Sequence, residues 1–106
     1  MTLYEHISAE QSYIASRIPV EEMLSQLAEE ACELAHAALK LRRVLDGTNP
    51  TPIDLHTATE ALREEVADLA LVCKMLALDG QRNDIEAIMD EKLARWYQRL
   101  KEREDV

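Results

Sequence analysis

Apolar residues return at helical spacing along four stretches of this chain, and proline, glycine or a polar run parts each stretch from the next. The first helix is predicted over about Leu3 to Arg17; Pro19 biases Ile18 away from helical backbone. The second is predicted over about Val20 to Leu45 and closed by Asp46-Gly47. Gly47 to Pro52 reads as the one clear loop, with two of the three prolines. The third helix spans about Asp54 to Leu78, with Asp54 as N-cap and Gly80 as stop. The fourth runs from Asn83 or Asp84 to Glu104.

Helices two and three differ in how their apolar residues are arranged. In helix two, Val20, Met23, Leu24, Leu27, Ala31, Leu34, Ala38, Leu41 and Leu45 form one stripe. Stepping roughly 100° per residue from Glu29, the stripe centres near 160°. Glu30 then borders it, and Glu29 is expected to face solvent. Helix three is apolar nearly all round: Ala61, Leu71, Val72 and Met75 lie on one face, and Leu62, Val66, Leu69, Ala70, Cys73 and Leu76 lie elsewhere. Such a helix has to be enclosed on most sides. Four helices of one short chain can hardly do so, which predicts self-association over helix three.

With 106 residues the chain fits a single domain over 1–106. Its apolar content is Ala and Leu, and Gly and Pro are scarce, so the expected class is all-α. The net charge of −9 excludes a nucleic-acid polymer or an anionic membrane as main partner, because both need a basic surface. It does not exclude a small phosphate ligand, since a bound cation inverts the local field. Cys32 and Cys73 lack metal-finger spacing and read as two reduced thiols. Residues 1–6 show no basic-then-apolar signal, and no apolar run reaches spanning length; the expectation is a cytoplasmic protein.

Against this background the acids of the middle helices stand out. Glu29-Glu30-Ala31-Cys32-Glu33 and Glu64-Glu65-Val66-Ala67-Asp68 each put three carboxylates on a narrow arc, since residues three and four apart share a face. Glu-Glu-x-x-Glu alone is common on solvated helix surfaces. The second cluster shifts the reading, because its neighbours on that face are apolar. Carboxylates crowded together need basic partners, shared protons or a cation. Lys40, Arg42 and Arg43 stand two turns or more beyond Glu33, and Arg63 points away from Asp68. A hard cation with oxygen ligands, Mg²⁺ or Mn²⁺, fits best.

These motifs resemble those of the MazG-like all-α nucleoside triphosphate pyrophosphohydrolases, a superfamily whose relatives include dimeric dUTPases and phosphoribosyl-ATP pyrophosphohydrolases. Leu27 to Leu34 is similar to the first motif, Glu65-Val66-Ala67-Asp68-Leu69 to the second, and Lys92-Leu93-Ala94-Arg95 to a basic pair on the last helix. The resemblance implies a four-helix bundle that packs into a dimer or tetramer. It also implies Mg²⁺-dependent hydrolysis of a nucleoside triphosphate to monophosphate and pyrophosphate, in a nucleotide house-cleaning role. Glu30, Glu33, Glu65 and Asp68 would be the metal ligands. Glu29 and Glu30 would be catalytic, with Glu29 orienting the attacking water, and Glu64 would be peripheral. Lys40, Lys74, Lys92 and Arg95 would bind the phosphates, while Gln11 and Tyr13 of the first helix would help close the nucleotide pocket.

The chain departs from that pattern in two places. The stretch between Glu33 and Glu65 is long, with its proline loop. Asp68-Leu69-Ala70-Leu71-Val72 also lacks the Asp-Leu-x-Tyr-His signature, which disfavours phosphoribosyl-ATP as substrate. Trp96 reads as an apolar anchor of the last helix or as a base-stacking residue. A di-iron carboxylate bundle needs two Glu-x-x-His pairs, and only Glu33-x-x-His36 is present. The alternative from another class is a non-catalytic acidic helical interaction module.

Overall fold

Four α-helices make up the regular structure, and no strand occurs among the described residues: α1 Leu3–Ala15, α2 Val20–Asp46, α3 Leu55–Met75 and α4 Arg82–Glu104. The structure is a computed structural model. It describes the backbone of residues 3–48, 50, 52–76 and 82–104, and side chains of 9–48, 50, 52–76 and 84–104. The expected run of the third helix to Leu78 and its stop at Gly80 lie outside the described residues, as do the side chains of Tyr4 and His6. The chain divides into two compact units, Met1–Leu76 and Ala77–Val106.

Local chemistry accounts for the helix ends of the first unit. α1 stops at Ala15 rather than Arg17. The Ser16 hydroxyl donates to the Tyr13 carbonyl at 2.6 Å, and the backbone tightens into a turn in which Arg17 N–H reaches Ile14 O at 2.9 Å. The Arg17 guanidinium lies 4.8 Å from the centre of the Tyr13 ring. Pro19, extended at φ −62° and ψ 153°, opens α2, and Glu21 and Glu22 in the first turn complement the helix dipole. At the other end Gly47 takes the left-handed conformation (φ 77°) and Thr48 N–H reaches back to Arg43 O at 2.9 Å. Asp54 caps α3 as expected: its Oδ1 accepts from Thr57 N–H at 2.6 Å.

α2 and α3 pack against each other as an antiparallel pair, with Met23 near Val72 at one end and Ala37 near Ala61 towards the other. The residues of α2 that lose solvent are Met23, Leu27, Glu30, Leu34, Ala37, Leu41 and Val44. Their spacing of four and three is that of a seam between two helices. Ala58, Leu62, Glu65, Leu69 and Val72 repeat the same spacing on α3. This corrects the sequence-derived stripe of α2. The seam is turned by about 50° from the expected centre, towards Glu30. Val20, Leu24, Ala31, Ala38 and Leu45 are left exposed. Glu30 therefore sits in the middle of the seam, not at its border, and Glu65 occupies the matching place on α3.

α1 crosses the end of this pair where α2 begins and α3 finishes. Gln11 Nε2 donates to Lys74 O at 2.8 Å. Ile14 and Ile18 close a largely apolar cavity of about 310 Å³ over Met23, Leu71, Val72 and Met75. Buried apolar side chains are few among the described residues of this unit: Met23, Ala58 and Val72. On the outward side of α3, Val66 and Leu71 are 50% and 53% exposed.

Candidate metal centre

The middle of the α2–α3 seam is where the acids meet. Each of Glu30, Glu33, Glu65 and Asp68 offers one carboxylate oxygen, and these four atoms lie within 4.8 Å of one another. Helical spacing explains the set: 30 and 33 are one turn apart on α2, 65 and 68 one turn apart on α3, and antiparallel pairing brings the two turns face to face. Glu30 is only 9% exposed and Glu65 is half-buried, while Glu33 and Asp68 stand at the open edge.

The deeper two carboxylates are incompletely satisfied. Gln26, one turn before Glu30, donates from Nε2 to Glu30 Oε1 at 2.7 Å. Glu30 Oε2 and Glu65 Oε2 are buried and accept no hydrogen bond from any described residue. Two carboxylates at this separation repel by about 3 kcal/mol at an effective dielectric constant near 20. The ion pairs seen among the described residues, Arg63 with Glu60 and Lys101 with Glu104, leave all four acids out. Orphaned buried oxygens, uncompensated like charge and an all-oxygen donor set fit a hard divalent cation: up to four carboxylate ligands, with water completing the shell.

A cleft of about 240 Å³ opens beside the acids, lined by Glu33, His36, Ala37, Lys40, Ala61 and Glu65. Lys40, one of the four bases expected to bind phosphate, lines this cleft with Glu33 and Glu65. Lys74 stands roughly half a turn round α3 from the Glu65 face. Lys92 and Arg95 are exposed on α4. Glu29 and Glu64 are exposed flanking acids. Gln11 is tied to the Lys74 carbonyl and Tyr13 lies beneath Arg17, while Ile14 of α1 and Ile18 of the turn after it line the cavity. Cys32 and Cys73 are free thiols. No helix among the described residues is long and apolar enough to cross a membrane.

Two contributors went unread in the sequence. Gln26 carries a signal in hindsight, since a Gln four residues before an acid can hydrogen-bond it along the helix. It also lines the apolar cavity, and so links that cavity to the acids. His36, which the sequence offers only as half of a di-iron spacing, lines the cleft next to Lys40. Compared with known proteins, the chain matches no family model, no curated protein and no solved structure.

Proposed function

We propose that this chain is a divalent-metal-dependent nucleoside triphosphate pyrophosphohydrolase, cytoplasmic and self-associating, of the MazG-like kind that its motifs resemble. The observation that carries the proposal is the set of four carboxylate oxygens within 4.8 Å, two of whose residues also bury an unpartnered oxygen.

When bound, Mg²⁺ or Mn²⁺ neutralises the phosphates and lowers the pKa of a coordinated water. The remaining work falls to the chain. Glu30, Glu33, Glu65 and Asp68 hold the ion. Gln26 fixes one oxygen of Glu30 and thereby aims the other inward, as outer partners of metal ligands do. Lys40, at the cleft wall beside Glu33 and Glu65, meets the phosphate chain. Glu29, exposed and adjacent to Glu30, orients the attacking water, whose oxygen adds to the α-phosphorus as pyrophosphate leaves. The apolar cavity joined to the acids through Gln26 has room for the base, with Ile14, Ile18 and Met23 as walls. Self-association draws support from the exposed Val66 and Leu71 of α3 and from the small number of buried apolar side chains.

The test is a panel of ordinary and modified nucleoside triphosphates with Mg²⁺, scored for pyrophosphate against phosphate. Pyrophosphate release from at least one of them is expected. Glu33→Gln and Asp68→Asn should each lower turnover by more than the roughly 10–100-fold that loss of an outer partner causes. No turnover across the panel, or wild-type rates in both variants, would sink the proposal. A protein that binds no metal and hydrolyses nothing would favour the interaction module.

A further inference from the structure

One acid of α2 stands apart from the metal centre and inside an apolar wall. Glu22, Gln26 and Glu30 follow one another at intervals of one turn on a single face of the helix. Glu30 belongs to the acid cluster, and Gln26 donates to it. Glu22 lines the cavity of about 310 Å³, together with Ile14, Ile18, Met23, Val72 and Met75. It makes no hydrogen bond or ion pair among the described residues. The helix dipole favours an acid in this first turn, and Glu21 serves that purpose as well. The dipole does not ask that one of the two acids line an apolar cavity. A ligand that fills the cavity strips water from the Glu22 carboxylate, whose oxygens then need hydrogen-bond donors from that ligand.

We propose that Glu22 reads the base of the substrate and selects guanine. The assignment rests on the nucleotide reading above and names the base that it left open. The Glu22 carboxylate repels phosphate, while His36 and Lys40 line the cleft on the far side of the acids. The nucleotide therefore lies along α2, with its base at Glu22 and its phosphates towards Lys40. Glu22 stands two turns before Glu30, roughly 12 Å along the helix axis, a span that a nucleotide with its α-phosphate at the acids can bridge. A carboxylate only accepts, through two oxygens side by side. Among the common bases guanine is the one that presents two adjacent N–H donors, on ring N1 and on the exocyclic N2. They meet both oxygens at once, as the fork of an arginine does. Adenine and cytosine set a ring-nitrogen lone pair beside their amino group. Uracil and thymine flank their one N–H with carbonyl oxygens. Each of these four turns a lone pair towards the carboxylate. Met23 of α2 and Met75 of α3 supply pliable thioether walls for the ring.

The experiment compares pyrophosphate release from dGTP, dITP, dATP, dCTP, dTTP and dUTP by the full chain with Mg²⁺. The base of dITP is guanine without its N2 amino group. In kcat/KM, dGTP should be preferred at least about tenfold over dITP and over every other base, since a site that pairs a substrate N–H rejects the analogue lacking it. Glu22→Gln sets a donor beside an acceptor, which suits the O6 and N1–H that guanine and hypoxanthine share. The dGTP-to-dITP ratio should then fall close to one, and Glu21→Gln, outside the cavity lining, should keep it. Where circular dichroism shows Glu22→Gln unfolded, the wild type is given O6-methyl-dGTP, which lacks the N1 hydrogen and should be hydrolysed no better than dITP. Hydrolysis without a preference for dGTP, a ratio unmoved in Glu22→Gln or lost in Glu21→Gln, or O6-methyl-dGTP turned over like dGTP would overturn the guanine assignment and leave the pyrophosphohydrolase standing. If no triphosphate is cleaved, melting curves with dGMP and with dIMP decide. A rise with dGMP alone would keep the guanine pocket without the hydrolase, and no rise with either would overturn both.

Discussion

The middle of the α2–α3 seam and the exposed length of α4 are built from the same kinds of residue, apolar positions at helical spacing flanked by acids, yet they handle charge in opposite ways. In the seam, Glu30 and Glu65 take positions that apolar residues hold in the turns before and after. They face Glu33 and Asp68, and the ion pairs seen nearby pass them by. On α4 the acids of residues 84–91 are followed by a run of bases over residues 92–101. Concentrated negative charge without bases asks for a cation, which can approach four oxygens at once. Acids and bases that follow one another along a single helix ask for no ion. Net charge alone, −9 for the whole chain, would not have separated the two.

The largest effect that could break this contrast lies at Glu65. If the seam acids are held at a cost that a cation offsets, Glu65→Leu should raise the metal-free stability by about 1–3 kcal/mol, the scale of removing an unpartnered buried polar group. The same change should erase the response to metal. In the wild type, Mg²⁺ or Mn²⁺ at a hundred times its dissociation constant should add about 2.7 kcal/mol. That corresponds to a rise in melting temperature on the order of 10 °C for a domain of this size. Thermal unfolding with and without metal reads both. A less stable metal-free Glu65→Leu that still responds to Mg²⁺ would mean that the seam acids are not a metal site.

A smaller effect sharpens the same point at Gln26. Its amide holds Glu30 Oε1 without adding charge. Gln26→Leu should weaken Mg²⁺ binding roughly 10- to 100-fold through loss of ligand orientation, while turnover at saturating metal falls less. Gln26→Glu should do further harm by adding a fifth carboxylate. Titration of activity against Mg²⁺ separates orientation, which moves the midpoint, from chemistry, which moves the plateau. An unmoved midpoint would show that Glu30 needs no help from its neighbour.

How legible all this was depended on whether the deciding interaction was local. The helices, the Asp54 cap and the Gly47 stop rest on residues within four positions of each other, and the sequence shows them. The four acids could be selected because one helical turn links 30 to 33 and 65 to 68. What the sequence hid was the rotation of α2. Its widest apolar stripe points about 50° away from the seam, because the helix has more apolar surface than α3 alone can cover. The pairing of α2 with α3 is set by contacts between residues some forty positions apart, and no spacing rule reaches that far. The same limit hid the cleft that joins His36 and Lys40 to the acids, and the cavity that Ile14 and Ile18 help to line.

Asp54 supplies the control: a carboxylate whose partner is local and already in place. Its Oδ1 accepts from Thr57 N–H, and that backbone bond, with the Thr57 hydroxyl second, holds its pKa below the ordinary 3.8. A carboxyl whose pKa is lower folded than unfolded adds stability above the unfolded value and loses it as pH falls through the folded one. The advantage of wild type over Asp54→Ala in melting temperature should therefore be constant from pH 7 down to about 5 and shrink below 3.8. Asp54→Asn, which keeps an acceptor without the charge, should recover part of the advantage and show little of the pH dependence. Melting curves of the three proteins between pH 2 and pH 7 decide it. An advantage unchanged at low pH would show that the cap works through shape, and that charge at this helix end does no more than the neutral amide.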